Sequence, residues 1–248
     1  MSIEHITIRA FRAPDDKVAC ARYIMEFVRV LEGIGVSSVF KPDVSWCTDP
    51  DSIVFIAEHP VHGMVGGIRL QRAKIGSTLP MESSLKSLAP GLSACLEPLV
   101  FKGNAELGAL WNAHRFAGRG VPHLLISAAV ATANQIGLRS MCCLVAEYVA
   151  PYCVLNGFKP IEEVGDKGMF VFPVPSIRSY AMAIPDVLEV GEADAMERRR
   201  LMSLRMRPEQ TRPERPKNET IMVTYQLLID EGNENYRAIA EYLSRDAA

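Results

Sequence analysis

The chain has 248 residues, room for one large domain or a medium domain with an extension, and either can bury a substantial core. A formal net charge of -2, with 48% hydrophobic and 23% charged residues, excludes a general pull toward nucleic acid or an anionic membrane. Small molecules or proteins are the expected partners, including a second copy of the chain in a homodimer. No secretory leader pattern opens the sequence, and no apolar run nears the roughly twenty residues of a membrane span. The six cysteines form no CxxC pair or ligand-spaced Cys/His set, so free thiols, no metal site and a cytoplasmic location are expected.

Ile3 to Phe11 alternates as a half-buried strand, and Pro14-Asp15-Asp16 then starts a helix to about Leu31 with Val18, Ala21, Ile24, Met25 and Val28 on one face. Ser52 to Glu58 and Met64 to Arg72, joined by His59-Pro-Val-His-Gly63, predict an antiparallel hairpin. One or two helices follow between Ser83 and Leu99, then a strand from Ala105 to Asn112. The next helix runs from Pro122 to Gln135 and stops at Gly137, because proline suits a first turn and glycine an end. Ser140 to Ala146 and Gly168 to Val174 read as strands around a short helix, Val149 to Asn156, with Ser179 to Ile184 a further sheet candidate. Beyond Pro175 the composition changes. Glu192 to Arg207 is a charged helix, Pro208 to Lys217 reads as a linker, Thr220 to Ile229 as a strand and Asn235 to Leu243 as a terminal helix. This order predicts an α/β fold with a mixed, mostly antiparallel sheet flanked by helices. We divide it into a domain over residues 1–185 and a C-terminal extension over residues 186–248.

The stretch Arg115-Phe-Ala-Gly-Arg-Gly-Val-Pro-His-Leu-Leu125 joins a strand to an apolar helix through two glycines. Glycines permit tight turns and close backbone approach, and the free amides of a helix N-terminus suit a phosphate. The loop lacks the GxGxxG of a dinucleotide fold and the Gly-Lys-Ser/Thr of a nucleotide P-loop.

It resembles the acyl-CoA-binding motif of the GNAT N-acetyltransferase superfamily, over roughly Ala105 to Val174. Leu110-Trp-Asn-Ala-His-Arg-Phe116 precedes Ala117-Gly-Arg-Gly-Val-Pro122, the pair Leu124-Leu125 follows, and Gly137-Leu138 ends the helix. A second family signature, Tyr-x-x-x-Gly-Phe, resembles Tyr152-Cys-Val-Leu-Asn-Gly157-Phe158. Two registers fit the motif. One reads Arg115-x-x-Gly118-x-Gly120 literally; the other, preferred on helix length, runs from Ala117 to Pro122 and places Phe116 at the family's aromatic position.

The resemblance implies acyl transfer from acetyl-CoA or a longer acyl-CoA to the primary amine of a small molecule or peptide. The donor is expected along Leu110, Trp111 and Asn112, with the amides of Gly118, Arg119, Gly120, Val121 and His123 as its anion site; Pro122 has no amide to give. Glu106, the one carboxylate on the motif strand, is the candidate base. The family's acid tyrosine falls on Cys153, so Tyr152, one residue earlier and turned by about 100° on a helix, Tyr148 and Cys153 are the candidate acids.

Glu106-Leu-Gly-Ala-Leu-Trp-Asn112 and Val65-Gly-Gly-Ile-Arg-Leu70, followed by Leu79-Pro-Met81, are also similar to strands of acyl-homoserine-lactone synthases, with Glu106 and Arg69 matching their strand glutamate and arginine. Ala109 replaces an arginine of those enzymes, which argues against a homoserine-lactone product. An alternative therefore follows, a fatty-acyl transferase that uses acyl carrier protein or long-chain acyl-CoA, with apolar residues from Leu79 to Leu99 forming its acyl pocket or simply the core. Ala117, Pro122 and the displaced tyrosine favour a third reading, a non-catalytic acyl-CoA-binding module. The arginines Arg198, Arg199, Arg200, Arg205, Arg207, Arg212 and Arg215 read either as a solvated face or as a surface for a carrier protein or CoA phosphate.

Overall fold

The computed structural model describes residues 3–36 and 43–229; the helix expected from Asn235 to Leu243 lies outside them. Its centre is one sheet of ten strands among these residues: β1 (Glu4–Arg12), β2 (Ser52–His59), β3 (Gly63–Arg72), β4 (Asn104–Asn112), β5 (Ser140–Ala146), β6 (Lys159–Pro160), β7 (Met169–Val171), β8 (Arg178–Ile184), β9 (Glu209–Glu214) and β10 (Ile221–Gln226). The order is β6-β8-β5-β4-β3-β2-β1-β10-β9, with β7 also paired to β8. Only β4 with β5 and β1 with β10 run parallel. The sheet is thus mixed and mostly antiparallel, as the order of elements predicts.

Alternation along the strands creates two apolar faces. Ile6, Ile8, Ile53, Phe55, Ile68, Leu70 and Leu107 face α4 (Val121–Ala131). α4 is apolar on all sides because it lies between the sheet and α6 (Ala195–Met206), and all its residues except Pro122 are buried. On the other face, α1 (Lys17–Gly33) packs Tyr23 against Trp46, Val54, Ile56 and Trp111. Asp16 starts α1, its side chain accepting from the Ala19 amide at 2.8 Å. Beside it, α2 (Pro80–Leu85) and α3 (Leu92–Lys102) pack Met81, Leu85, Leu92 and Leu96 against Cys142, Phe170 and Ala181. The short helix α5 (Ala150–Leu155) closes the set.

Three sequence expectations need correction. The helix from Pro122 is α-helical only to Ala131 and finishes as a 3-10 turn, Thr132–Ile136, before the left-handed Gly137. The strand expected from Gly168 to Val174 forms only over Met169–Val171. Pro208 to Lys217 is not a linker: it contains β9, an edge strand, where the missing amide of Pro213 is tolerated. Behind it β10 adds directly to β1, from Glu4↔Ile221 to Arg9↔Gln226.

Arginines fasten α6 to this edge. Arg200 bridges Glu197 at 2.9 Å and Glu214 at 3.1 Å, Arg212 reaches Glu214 at 3.1 Å, and Tyr225 donates to the same carboxylate. For Arg200 and Arg212 the solvated-face reading therefore fails, since each is drawn inward by a buried carboxylate. Among the described residues no helix is long and apolar enough to cross a membrane.

Candidate functional site

β4 and β5 pair only from Asn104↔Ser140 to Leu107↔Cys143 and then part. The cause lies in β4, where three residue steps from Gly108 to Trp111 oppose two on β3 from Arg69 to Gly67. This bulge puts Ala109 at φ +50°, a conformation uncommon for a side-chain-bearing residue. The Tyr23 hydroxyl donates to the Ala109 carbonyl and pins the bulge. Tyr23 fits only because residue 67 is glycine: a Cβ there would stand 2.5 Å from the tyrosine ring.

A cavity of about 920 Å³ fills the parting. Gly108 to Asn112 and Leu144 to Ala146 form its strand walls, Pro122 and Ile126 of α4 bound it on one face, and Phe27, Val30 and Leu31 of α1 bound it on the other. The opening therefore passes through the sheet. Expected donor contacts Leu110, Trp111 and Asn112 all lie on its wall.

The glycine loop forms one end. Gly118 and Gly120 take φ values of +80° and +78°, and α4 begins immediately after them. The Arg119 amide is already used, donating to the Phe116 carbonyl at 3.2 Å. The amides of Gly118, Gly120, Val121 and His123 have no acceptor among the described residues, and the positive end of the α4 dipole lies behind them. Gly118 and Gly120 border the cavity; the side chains of Arg119, Val121 and His123 point elsewhere, Arg119 to Glu4 at 3.0 Å and His123 to Glu197 at 2.9 Å. Arg115 and Lys217 supply positive charge to the cavity wall. Lys217 arrives from the β9–β10 turn, whose Pro216 presses on Gly120 so closely that a Cβ at residue 120 would come within 2.7 Å.

Glu106 lies on β4, 6% exposed, just behind this wall. Its Oε2 accepts from the Met81 amide at 2.8 Å, and its Oε1 would be 3.4 Å from a Cβ at Gly108, which itself lines the cavity. Burial raises its carboxyl to about 7, against the opposing pull of the Met81 amide and the Arg69 charge. Such a group changes protonation near neutral pH.

Tyr152 lines the cavity on α5 and stacks on the His123 ring, centroids 5.4 Å apart and planes at 9°. Its one-residue displacement does not remove it from the cavity: both it and Cys153 border the space, while Tyr148 sits on the rim and is 71% exposed.

The residues from Leu79 to Leu99 do not reach the cavity. They make the second core beneath α2 and α3, and the apolar wall comes instead from Phe27, Val30, Leu31, Ile34 and Val36. The sequence analysis singled out none of these side chains as pocket residues, because nothing in helical periodicity separates a core face from a pocket face; Ile34 and Val36 follow the end of α1. Phe172, Ile177 and Lys217 were also missed, since each is brought to the cavity by a distant turn of the chain.

Neither a family model nor a curated protein matches the sequence. Solved structures do match. FeeM, an N-acyl amino acid synthase from uncultured soil microbes, aligns with a TM-score of 0.55 at 17% identity, over 79% of this chain and 98% of its own. BjaI, a CoA-dependent acyl-homoserine lactone synthase solved with SAM and isopentyl-CoA, aligns with a TM-score of 0.50 at 14% identity, over 80% and 88%. TofI, solved in a ternary complex with an inhibitor and MTA, gives 0.50 at 12% identity, over 77% and 99%. The chain therefore has the mixed α/β fold of the acyl-CoA N-acyltransferases, the fold that its glycine loop and strand order imply.

Proposed function

We propose that the protein is an N-acyltransferase that moves an acyl group from acyl-CoA to a primary amine. One observation carries the reading: β4 and β5 part into a cavity that has an amide-rich glycine loop at one end and a buried carboxylate behind its strand wall. The loop suits the pyrophosphate of CoA, and the parting lets a thioester lie along Leu110, Trp111 and Asn112. In the transfer, an ammonium proton passes to Glu106, directly or through water. The amine nitrogen then bonds to the thioester carbonyl carbon, the C–S bond breaks, and the thiolate leaves with a proton. Tyr152 is the first candidate for that proton and Tyr148 the second.

The α1 wall favours an acyl group longer than acetyl. Phe27, Val30, Leu31 and Ile34 extend the apolar lining well past the strand edge, where a two-carbon group needs no such surface. A long-chain acyl-CoA is therefore the preferred donor, and a carrier-protein donor would meet the same apolar wall. The free cysteines fit a reducing, cytoplasmic setting.

Calorimetric titration with CoA, acetyl-CoA and a long-chain acyl-CoA tests the loop and the wall together. The long-chain thioester is expected to bind at least tenfold tighter than acetyl-CoA; absence of binding by all three would remove the reading. Thiol release over a panel of amines then separates an enzyme from a binding module.

A further inference from the structure

His123 lies in the first turn of α4, with its ring buried between side chains of α5 and α6. Its Nε2 donates to the Glu197 carboxylate at 2.9 Å, and its Nδ1 is buried without a partner among the described residues. Glu197 is fixed at both oxygens, since Oε1 accepts from Ser127 at 2.5 Å and Oε2 also accepts from Arg200 at 2.9 Å. The imidazole is therefore tethered at one edge to a rigid carboxylate, which leaves its flat face free for contact. A leucine or phenylalanine would fill the same space without burying an unanswered nitrogen, so packing alone does not explain a histidine here.

That face carries Tyr152. The two rings lie nearly parallel, at 9°, with centroids 5.4 Å apart, an offset stack. Tyr152 is half-buried on α5 and borders the cavity. A phenol O–H lies in the plane of its ring, because an oxygen lone pair conjugates with the ring. A surface that fixes the ring plane therefore also fixes the direction in which the proton is offered. The stack also answers the one-residue displacement of the tyrosine: the helix turns the side chain by about 100° from the family position, and the imidazole gives the ring a wall to lie against at the cavity.

We infer that His123 is the positioning residue for the acid: it holds the Tyr152 ring so that the hydroxyl meets the departing thiolate, and Glu197 holds His123. As the C–S bond breaks, the thiolate takes the phenol proton, and the phenolate recovers one from water. A misplacement of about 1 Å at a reacting group costs about 100-fold in rate, so a fixed ring matters as much as a nearby one. Glu197 belongs to α6, and the segment beyond residue 185 thus enters the chemistry through a histidine that touches no substrate. This inference rests on the acyltransferase reading, and its test is arranged so that the two can fail separately.

The test measures thiol release from decanoyl-CoA with the fastest acceptor of the amine panel. Tyr152→Phe is expected to lower kcat by about 100-fold. His123→Leu fills the space without a flat face and is expected to lower kcat at least tenfold, with the KM for decanoyl-CoA changed by less than threefold. His123→Phe keeps the face and is expected to stay within threefold of the parent in kcat. Both variants lose the bond to Glu197, so damage to the fold falls on both, and thermal melts measure it. In a Tyr152→Phe background, His123→Leu is expected to change the remaining kcat by less than twofold, because no hydroxyl is left to position. Should His123→Leu fail to fold, His123→Met supplies the non-planar side chain. Equal losses in His123→Leu and His123→Phe, the same loss with and without the Tyr152 hydroxyl, or a parental kcat in Tyr152→Phe each overturn the assignment and leave the acyltransferase reading intact. Absence of thiol release by the parent with every amine overturns both.

Discussion

Gly108 borders the cavity and places no side chain over the Glu106 carboxylate beside it. A single added carbon at residue 108 would come to rest 3.4 Å from the Glu106 Oε1, in ordinary contact and at a backbone conformation that any residue accepts. Gly108→Ala is therefore expected to fold with a melting temperature at or slightly above the parent's, since alanine suits a strand better than glycine. Its kcat is expected to fall at least tenfold because the added methyl covers the carboxylate. Steady-state kinetics beside thermal melts check this, and unchanged kcat with unchanged stability would separate Glu106 from the chemistry.

The protonation of Glu106 predicts two opposite pH dependences. Activity is expected to rise with pH through about 7 as the carboxyl becomes a base, and Glu106→Gln is expected to lower kcat by about 100-fold or more and to flatten the profile. Stability moves the other way. The folded chain holds this proton to about 7, against an ordinary value of 4.5, so its contribution is complete below 4.5 and is lost as the pH climbs to 7, on the order of 3 kcal/mol. Urea melts at pH 5 and pH 8 are expected to show Glu106→Gln close to the parent at the first and more stable at the second.

The α1 wall sets a length limit. Val30→Trp fills space beside Phe27 and Leu31, so kcat/KM for a long-chain acyl-CoA is expected to drop at least tenfold while that for acetyl-CoA changes by less than threefold. A chain-length series of acyl-CoA donors reads the change. An equal loss across the series would mean that the wall supports the fold instead of measuring the substrate.

Glu197 ties α6 to α4. It accepts from Ser127 at 2.5 Å, pairs with the His123 ring and with Arg200, and is 4% exposed. Burial alone would raise its carboxyl, but the hydrogen bond from His123 and the nearby charges of His123 and Arg200 hold it below the usual range. Glu197→Ala leaves Arg200 with Glu214 alone and removes the acceptor of Ser127 and His123, and is expected to cost about 1–3 kcal/mol at pH 7. In the parent, this stabilisation is present above pH 4.5 and disappears as acid protonates the carboxylate, so the gap between parent and variant in urea melts is expected to narrow below that pH.

Much of this architecture is legible in local sequence. The β2–β3 hairpin, the Gly137 stop and the glycine loop each follow from residues a few positions apart, because turn chemistry and alternation are local properties. Glu106 is also legible, as the one carboxylate on its strand, but its raised proton affinity comes from burial beneath other elements, which the Met81 amide and the Arg69 charge only partly oppose. Features created by distant pairing were not readable. β9 looks like a linker by composition and becomes a strand only because β10 offers it an edge. Phe27 and Val30 look like any apolar helix positions until the bulge at Ala109 parts the sheet beneath them.

The parallel pairing of β1 with β10 has a consequence for how the molecule is made. The His5 ring and the Thr224 hydroxyl meet at 2.9 Å across 219 residues, so the outer edge of β1 stays bare while a nascent chain is extended and is covered only after residue 226 has emerged. During that interval its unmatched amides and carbonyls form a template for any extended segment nearby. A version cut at Pro185 would keep the edge open permanently and is expected to associate edge to edge. The last described strand thus closes the edge that each newly made copy leaves open until its own sheet is complete.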